Sequence, residues 1–458
     1  MRVCHTERRC GGAQATVVML AALARRSGLC GYAATAAGLS ASAVVLASHA
    51  DTPSSVTHCE QLIQQSSDAP PRLFCWGRLA PASAGDNSSV RIRERAPVDV
   101  TFWSSQGLQI KEVCYGGTHA AVLDTSGGLW AWGEHTGPKP IRLQCRAALM
   151  SLASTQNSLY AVTSSGRVLE WRDLDRALTE GTLPPPEPTP LQGALSGVQA
   201  AQVAAGDEHI LVIGRRGEVV AMGDNTRGQL GLADPAALPR CDKPTALQPL
   251  RAPAAAAACG GAHSVVCLTD GSVVAFGDDR NLQLGLRRCT NMKEMREGRT
   301  SVHTPQPVLA LRDLRVVGVA AGGGGLDGGH TVFHVRGEEG DGLWACGHGR
   351  WGQLGGKAYT HISDPKLVTT IAKLREWDES TKRVVSVRID AIGCGERHTA
   401  CLLSTGNAFV WGWNDQGQLG TGNSQGSHTP SMVKSPPELR FAKLRGLTSG
   451  PNSVAVWS

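Results

Sequence analysis

Short apolar runs, separated by polar turns that contain glycine, recur through most of the chain. Ile210-Leu-Val-Ile213 and Ser264-Val-Val-Cys-Leu268 are two of them. Such runs are too short for helices and are bounded by turn residues, so they predict buried strands. Asp270-Gly271 between two runs marks a hairpin, because glycine accepts the positive φ of a tight turn. Each pair of runs therefore begins a small antiparallel sheet. One such sheet cannot bury both faces alone. Stacking several sheets radially buries them against each other and leaves only short edges.

The runs sit inside a longer phrase that returns about seven times. A Gly-x-x-His opens an apolar run, a turn with glycine follows, and a second run ends in an aromatic residue and a glycine. In the best copies a loop closing on Gly-Gln-Leu-Gly comes next, as at Gly228 to Gly231, Gly352 to Gly355 and Gly417 to Gly420. The step from histidine to turn glycine is the same in His119/Gly127, His209/Gly217, His263/Gly271 and His398/Gly406. The step from that glycine to the one after the aromatic position is also constant, at Gly133, Gly223, Gly277 and Gly412.

Another copy starts at His330 and carries extra residues before Gly347; a degraded one has Ser158 in the histidine place and Arg172 in the glycine place. A last copy is split: Gly450-Pro-Asn-Ser453 and Val454-Ala-Val-Trp457 supply its first half, Leu73-Phe-Cys-Trp-Gly77 its second. These phrases together resemble the repeats of the regulator of chromosome condensation family, over roughly residues 70–458. The resemblance implies an all-β, seven-bladed β-propeller, closed by N- and C-terminal segments that share one blade. One departure is Leu282-Gln-Leu-Gly285, where leucine replaces the first glycine. Founding members of the family exchange guanine nucleotide on a small GTPase and bind chromatin. Others are assembly factors, receptors or binding modules, so the fold leaves the function open.

The first 70 residues do not fit the repeat. Residues 1–26 hold Arg2, Arg8, Arg9, Arg25 and Arg26 against one acid, Glu7, and no lysine. An Arg-rich, acid-poor lead is the pattern of an organelle presequence. Gly28 to Ala50 has no Asp, Glu, Lys or Arg and is long enough to cross a bilayer, though it is only weakly apolar. It is a candidate single span with membrane association, or else a continuation of the presequence. A secretory reading would take Ala15 to Ala24 as a signal core. The net charge of +6 on 458 residues neither requires nor excludes nucleic acid. The 14 cysteines contain no Cys-x-x-Cys pair, and most suit buried free thiols.

His119, His209, His263, His330 and His398 occupy one repeat position, as do Gly133, Gly223, Gly277, Gly347 and Gly412. A histidine repeated around a ring of blades cannot gather at one metal, so these are expected to be structural parts that lock each blade through hydrogen bonds to neighbouring backbone. The Gly-Gln-Leu-Gly turns lack the lysine spacing of a phosphate loop and are expected to join blade to blade. The sequence shows no nucleophile elbow, Walker loop, His-Glu-x-x-His or zinc spacing, so no catalytic, cofactor-binding or metal-binding residues are assigned.

Insertions are the functional lead, because loops on a rigid scaffold carry recognition. Leu286 to Val308 carries Arg287, Arg288, Lys293, Arg296 and Arg299 and is the candidate partner-binding loop, suited to phosphate or an acidic protein. Asp173 to Gly197 is net acidic and contains Leu183-Pro-Pro-Pro-Glu-Pro-Thr-Pro190, either a docking segment or a spacer. Gly322 to Gly329 is glycine-rich and either lets a partner backbone approach closely or is a flexible insertion. Lys366 to Arg388 is expected to be a loop or short helix on the rim.

The sequence thus predicts a non-enzymatic propeller that binds protein, in assembly or maintenance of a mitochondrial complex. The partner classes are a protein, a small GTPase or a ribonucleoprotein. The alternatives are a guanine-nucleotide exchange factor and a nuclear chromatin-binding regulator, with nuclear or cytoplasmic location. A ligase recognition propeller would need a catalytic domain for which 458 residues leave no room.

Overall fold

The computed structural model of the protein describes residues 71–78, 94–133, 140–179, 187–232, 235–286, 300–324, 328–338, 340–356, 359–378, 382–434, 439 and 444–458. Its strands form seven four-stranded antiparallel sheets and one two-stranded hairpin. We number the sheets as blades 1 to 7 by their innermost strands, Ile110–Tyr115, Leu149–Ser154, Ala200–Ala205, Ala254–Cys259, Val316–Gly322, Ile389–Cys394 and Gly446–Ser449. Each innermost strand touches those of both neighbouring blades, and blade 7 touches blade 1, so the ring is complete. The molecule is a seven-bladed β-propeller.

Burial follows position in the blade. The second strands of blades 3, 4 and 6, His209–Gly214, His263–Leu268 and His398–Leu403, are buried at every residue. They are covered by a blade on each side, which is why they read as apolar runs rather than alternating ones. An inner strand such as Ile110–Tyr115 turns part of its surface to the central channel, and an outer strand such as Arg240–Ala246 is mostly wet. The core is accordingly not one mass but seven wedges, each filled by two adjacent blades. In blades 1 to 6 the inner strand slips register after its first residue, as between Ile110 and Glu112. Bulges of this kind increase strand twist, as radial stacking of sheets needs.

Blade 7 is built from both ends of the described chain. Leu73–Gly77 pairs antiparallel with Ser453–Trp457, with Leu73 opposite Trp457 and Gly77 opposite Ser453. Its outer strand is Glu94–Asp99, and the helix Thr101–Gln106 then plugs buried Trp103 into the wedge between blades 7 and 1.

Two of the insertions fold differently from expectation. The segment after Trp171 begins with the helix Leu174–Thr179, whose Leu174 and Leu178 are buried in the wedge between blades 1 and 2. Apolar residues on one helical face anchor it to the scaffold. The segment 366–388 holds the short helix Thr369–Ala372 and then a β-hairpin, Arg375–Asp378 with Arg383–Ser386, rather than a loop or helix alone. Two β-branched residues, Val384 and Val385, favour that outcome locally. No helix among the described residues is long and apolar enough to cross a membrane; the candidate span at 28–50 lies outside them.

Candidate functional site on the loop face

Each inner strand leads through a tight loop into the second strand, and the third strand leads through a longer loop into the outer one. Both loops lie at the same end of the blade, so one face of the ring carries them all. The repeated histidines open the second strands just beneath this face. His119, His209, His263, His330 and His398 are all fully buried.

They do not meet one another. Each points sideways to the next blade. His209 Nε2 lies 3.0 Å from Ser264 Oγ, His263 Nε2 3.1 Å from Thr331 Oγ1 and His330 Nε2 3.0 Å from Thr399 Oγ1. Those hydroxyls donate in turn to carbonyls of the Gly-Gln-Leu-Gly loop, Ser264 to Gln229 at 2.7 Å, Thr331 to Gln283 at 2.7 Å and Thr399 to Gln353 at 2.8 Å. A hydroxyl has one proton, so the imidazole must be the donor, which fixes the proton on Nε2. Burial pushes the histidines down, His209 and His330 to about 4 and His263 and His398 to about 3, so they stay neutral near pH 7.

Sequence reasoning placed these histidines as structural parts with backbone partners, and His330 Nδ1 does lie 3.4 Å from Gly328 O. The Nε2 partner, which that reasoning did not name, is a side chain, the Ser or Thr that follows the next blade's histidine. The belt is incomplete where that residue changes. His119 uses Ser154 Oγ at 3.3 Å instead, because blade 2 has Leu159 at the hydroxyl position. His398 faces blade 7, which offers Val454, and both its ring nitrogens are buried without a hydrogen-bond partner among the described residues.

The Gly-x-x-His glycines have a steric cause. A Cβ on Gly116, Gly206, Gly260 or Gly395 would enter the imidazole ring of its own histidine. The Gly-Gln-Leu-Gly turns are not covalent links between blades. They connect the third and fourth strands within a blade and bond sideways to the next: Gln353 O also accepts Trp411 Nε1 at 2.8 Å, and Gln418 O accepts Trp76 Nε1 at 2.9 Å.

Above the histidines, the tight loops ring the mouth of the channel and hold each other through backbone. Gly117 N donates to Gln156 O at 3.0 Å, Gln156 N to Asp207 O at 2.9 Å, Gly261 N to Gly323 O at 2.7 Å and Glu396 N to Pro451 O at 2.9 Å. Within the glycine run, Gly323 and Gly324 approach Gly261 of the neighbouring blade backbone to backbone; residues 325–327 lie outside the described residues. Burial raises the Asp207 carboxyl, and the Glu396 and Glu208 charges add to this.

The most distinctive surface feature lies between blades 5 and 6. The Arg397 guanidinium sits 5.4 Å from the Trp351 ring and 5.0 Å from the Trp413 ring, whose centroids are 6.2 Å apart. Arg350 adds a second cation 6.0 Å from Trp351. Glu396 pairs with Arg397 at 3.7 Å. Both tryptophans and Arg397 are half-buried. Such a platform presents flat apolar area and fixed charge at low entropic cost, a composition enriched in protein recognition surfaces. The two tryptophans hold different repeat positions, Trp351 before the loop glycine Gly352 and Trp413 after Gly412, so no recurring phrase in the sequence pairs them.

The remaining sequence-derived sites do not converge here. Arg287, Arg288, Lys293, Arg296 and Arg299 lie outside the described residues, as do residues 183–186 of the proline run. Gly223, Gly277, Gly347 and Gly412 take φ of +115°, +107°, +106° and +116°, which the chain needs to pass the histidine opposite; Gly133 does not. The nine described cysteines are free, and burial pushes Cys75, Cys259 and Cys394 up to about 12, far from thiolate chemistry. Among the described residues no group of three or more His, Cys, Asp or Glu side chains is placed to hold a metal ion.

The regulator of chromosome condensation (RCC1) repeat matches residues 216–267, 270–325 and 405–453, and a second form of it matches 200–229 and 389–418. The human probable E3 ubiquitin-protein ligase HERC4 is 30% identical over 246 residues, which cover 53% of this chain and only 20% of the ligase. The Arabidopsis thaliana ultraviolet-B receptor UVR8 is 26% identical over 346 residues, 72% of this chain and 71% of the receptor. Among solved structures, Prp20p of Saccharomyces cerevisiae, reported with its binding to Gsp1p and histones, matches with a TM-score of 0.68 at 18% identity, over 85% of this chain and 91% of Prp20p. Human WBSCR16 matches with a TM-score of 0.64 at 20% identity, over 85% of this chain and 98% of that one.

Proposed function

We propose that this chain, which carries repeats of the regulator of chromosome condensation family, is a non-enzymatic scaffold that binds a protein partner on its loop face. The observation that carries this reading is the Trp351–Arg397–Trp413 platform. Bulky aromatics and arginine held half-exposed on a rigid ring cost little entropy to dock against and are where binding energy concentrates. The seven wedges hold the ring itself, so the loops are free to vary with the partner.

The Arg-rich, acid-poor residues 1–26 support a mitochondrial setting, with the scaffold serving assembly or maintenance of a complex there. The test uses a C-terminally tagged full chain beside one that starts near Asp51, scored against a mitochondrial marker. Mitochondrial full chain and cytosolic truncation support the setting; nuclear or cytosolic location of both overturns it. Partners captured from the matching compartment are then compared with those captured by Arg397→Ala and Trp351→Ala. An unchanged partner set in both variants overturns the assignment of the platform.

A second reading is guanine-nucleotide exchange on a small GTPase. It is favoured by the likeness to Prp20p, which binds Gsp1p. In that reading interface contacts, not acid–base groups, expel the nucleotide. Release of a fluorescent guanine nucleotide from a panel of small GTPases separates the two readings: acceleration supports exchange, and none supports the scaffold. The ligase activity of HERC4 belongs to a protein of which this chain matches 20%.

A further inference from the structure

The face opposite the histidines opens into a cavity of about 380 Å³ at the end of the central channel, lined by Lys111, Glu112, Met150, Thr448 and Trp457 among others. Small-molecule sites span roughly 300–1,000 Å³. Glu112 stands in the inner strand of blade 1 at the register that Gln202 holds in blade 3. Gln202 closes both of its polar atoms on the next blade: Nε2 donates to Ala257 O at 3.3 Å and Oε1 accepts Ala257 N at 3.2 Å. Glu112 reaches the equivalent residue, Leu152, but makes half of that clip. Its Oε2 accepts Leu152 N at 3.0 Å, and its other oxygen takes no hydrogen bond from the described residues.

A carboxylate has no proton to give Leu152 O, so at this position it wants a donor that glutamine would carry itself. The nearby cation is Lys111, on the same strand, and its Nζ is engaged with Leu149 O at 3.1 Å. The groups facing Glu112 from blades 2, 6 and 7 are Met150, Ala391, Leu447, Thr448 and Trp457, none of them charged; Cys114, on its own strand, is buried and held as a thiol.

We propose that this channel mouth binds a primary ammonium group on a short alkyl chain, with Glu112 as its anionic contact and Trp457 and Met150 walling the chain. A single carboxylate matches a monocation rather than a divalent metal. A cation there supplies the donors that Glu112 lacks, and an aromatic wall adds cation–π attraction. Burial raises the Glu112 carboxyl to about 7, with Leu152 N and Lys111 offsetting part of the rise, so a bound cation competes with a proton. This site is independent of the loop-face platform and of the identity of any partner there.

The ammonium comes either from a free amine or from a lysine side chain of another protein. Two probes distinguish the sources: n-butylammonium, and lysine blocked at both backbone ends. Calorimetric titration of the full chain at pH 8.5 is expected to show saturable binding of n-butylammonium, weakened about tenfold at pH 6 and at least tenfold in Glu112→Gln. Equal affinity for blocked lysine identifies a protein side chain as a ligand; binding of n-butylammonium alone identifies a free amine. Glu112→Gln restores the Gln202-type clip, so its melting temperature should match or exceed that of the parent and certify the ring as intact. Failure of both probes to saturate at pH 8.5, or undiminished binding in the intact Glu112→Gln variant, overturns the proposal.

Discussion

His330 and Thr399 sit in adjacent blades with Nε2 and Oγ1 3.0 Å apart, and Thr399 passes its own proton to Gln353 O at 2.8 Å. This single pairing ties three sequence phrases together: the histidine of one blade, the residue after the histidine of the next, and the glutamine loop of the first. Thr399→Val should cost about 1–3 kcal/mol, because it strands a buried imidazole N–H. Chemical denaturation, with the midpoint read at unchanged m value, measures it.

The reverse change is the sharper test. Val454 holds in blade 7 the place of Thr399 in blade 6, since each lies opposite the tryptophan of its third strand, Trp76 and Trp411. His398 is left without a partner there. Val454→Thr should stabilise the protein by about 1 kcal/mol, by accepting from His398 and donating to Gln418 O. A destabilised Val454→Thr protein would show that the hydroxyl fails to reach one of those groups.

Leu282 takes φ +65° where Gly228, Gly352 and Gly417 take +79°, +87° and +83°. A side chain in the left-handed region costs roughly 1–2 kcal/mol, while glycine loses more chain entropy on folding, by roughly 0.5–1 kcal/mol. Leu282→Gly should therefore raise stability by about 0.5–1 kcal/mol, seen as a higher melting temperature.

Gly260 and Gly127 separate close approach from backbone conformation. A Cβ on Gly260 enters the His263 ring, although its φ is ordinary; Gly127 has φ +88° and nothing within 4 Å. Gly260→Ala should cost at least about 2 kcal/mol by overpacking, and Gly127→Ala about 1 kcal/mol by strain. Equal melting shifts in the two variants would refute the steric account of the Gly-x-x-His phrase.

Acid should unfold the protein abruptly. Four buried histidines are held at about 3 to 4 in the fold, against 6.5 for the free side chain. A lowered folded pKa contributes stability that is complete above 6.5 and is lost as the pH falls toward the folded value. Each histidine steepens the loss by about 1.4 kcal/mol per pH unit, so four give about 5.5 kcal/mol per unit. Glu112 works in the other direction: raised from 4.5 to about 7, it removes at most about 3 kcal/mol as the pH climbs between those values. The histidines win, and a stability of ordinary size is exhausted near about pH 5. Proton uptake on unfolding at pH 5 should approach about three, one for each of the four histidines less most of one released by Glu112, and His263→Gln should lower it by one.

The propeller was legible from Gly-x-x-His and Gly-Gln-Leu-Gly because each phrase answers a local demand. Glycine makes room for the ring of the histidine three residues on. The turn glycines supply positive φ. The all-apolar second strands follow from burial on both faces. The hairpin at 375–386 was missed because its strands are only four residues each, too short to show alternation.

Sequence alone determined which residues are interchangeable parts, since a repeat exposes its constants by spacing. It could not show what those parts touch, because His119, His209, His263 and His330 find their hydroxyl partners about 35 to 69 residues away, in the next blade. Ring closure decided that. It set His398 against Val454, Arg397 between Trp351 and Trp413, and Glu112 against a channel that no single blade contains. Those relationships lie across blade boundaries, between residues that no recurring phrase of the chain sets side by side.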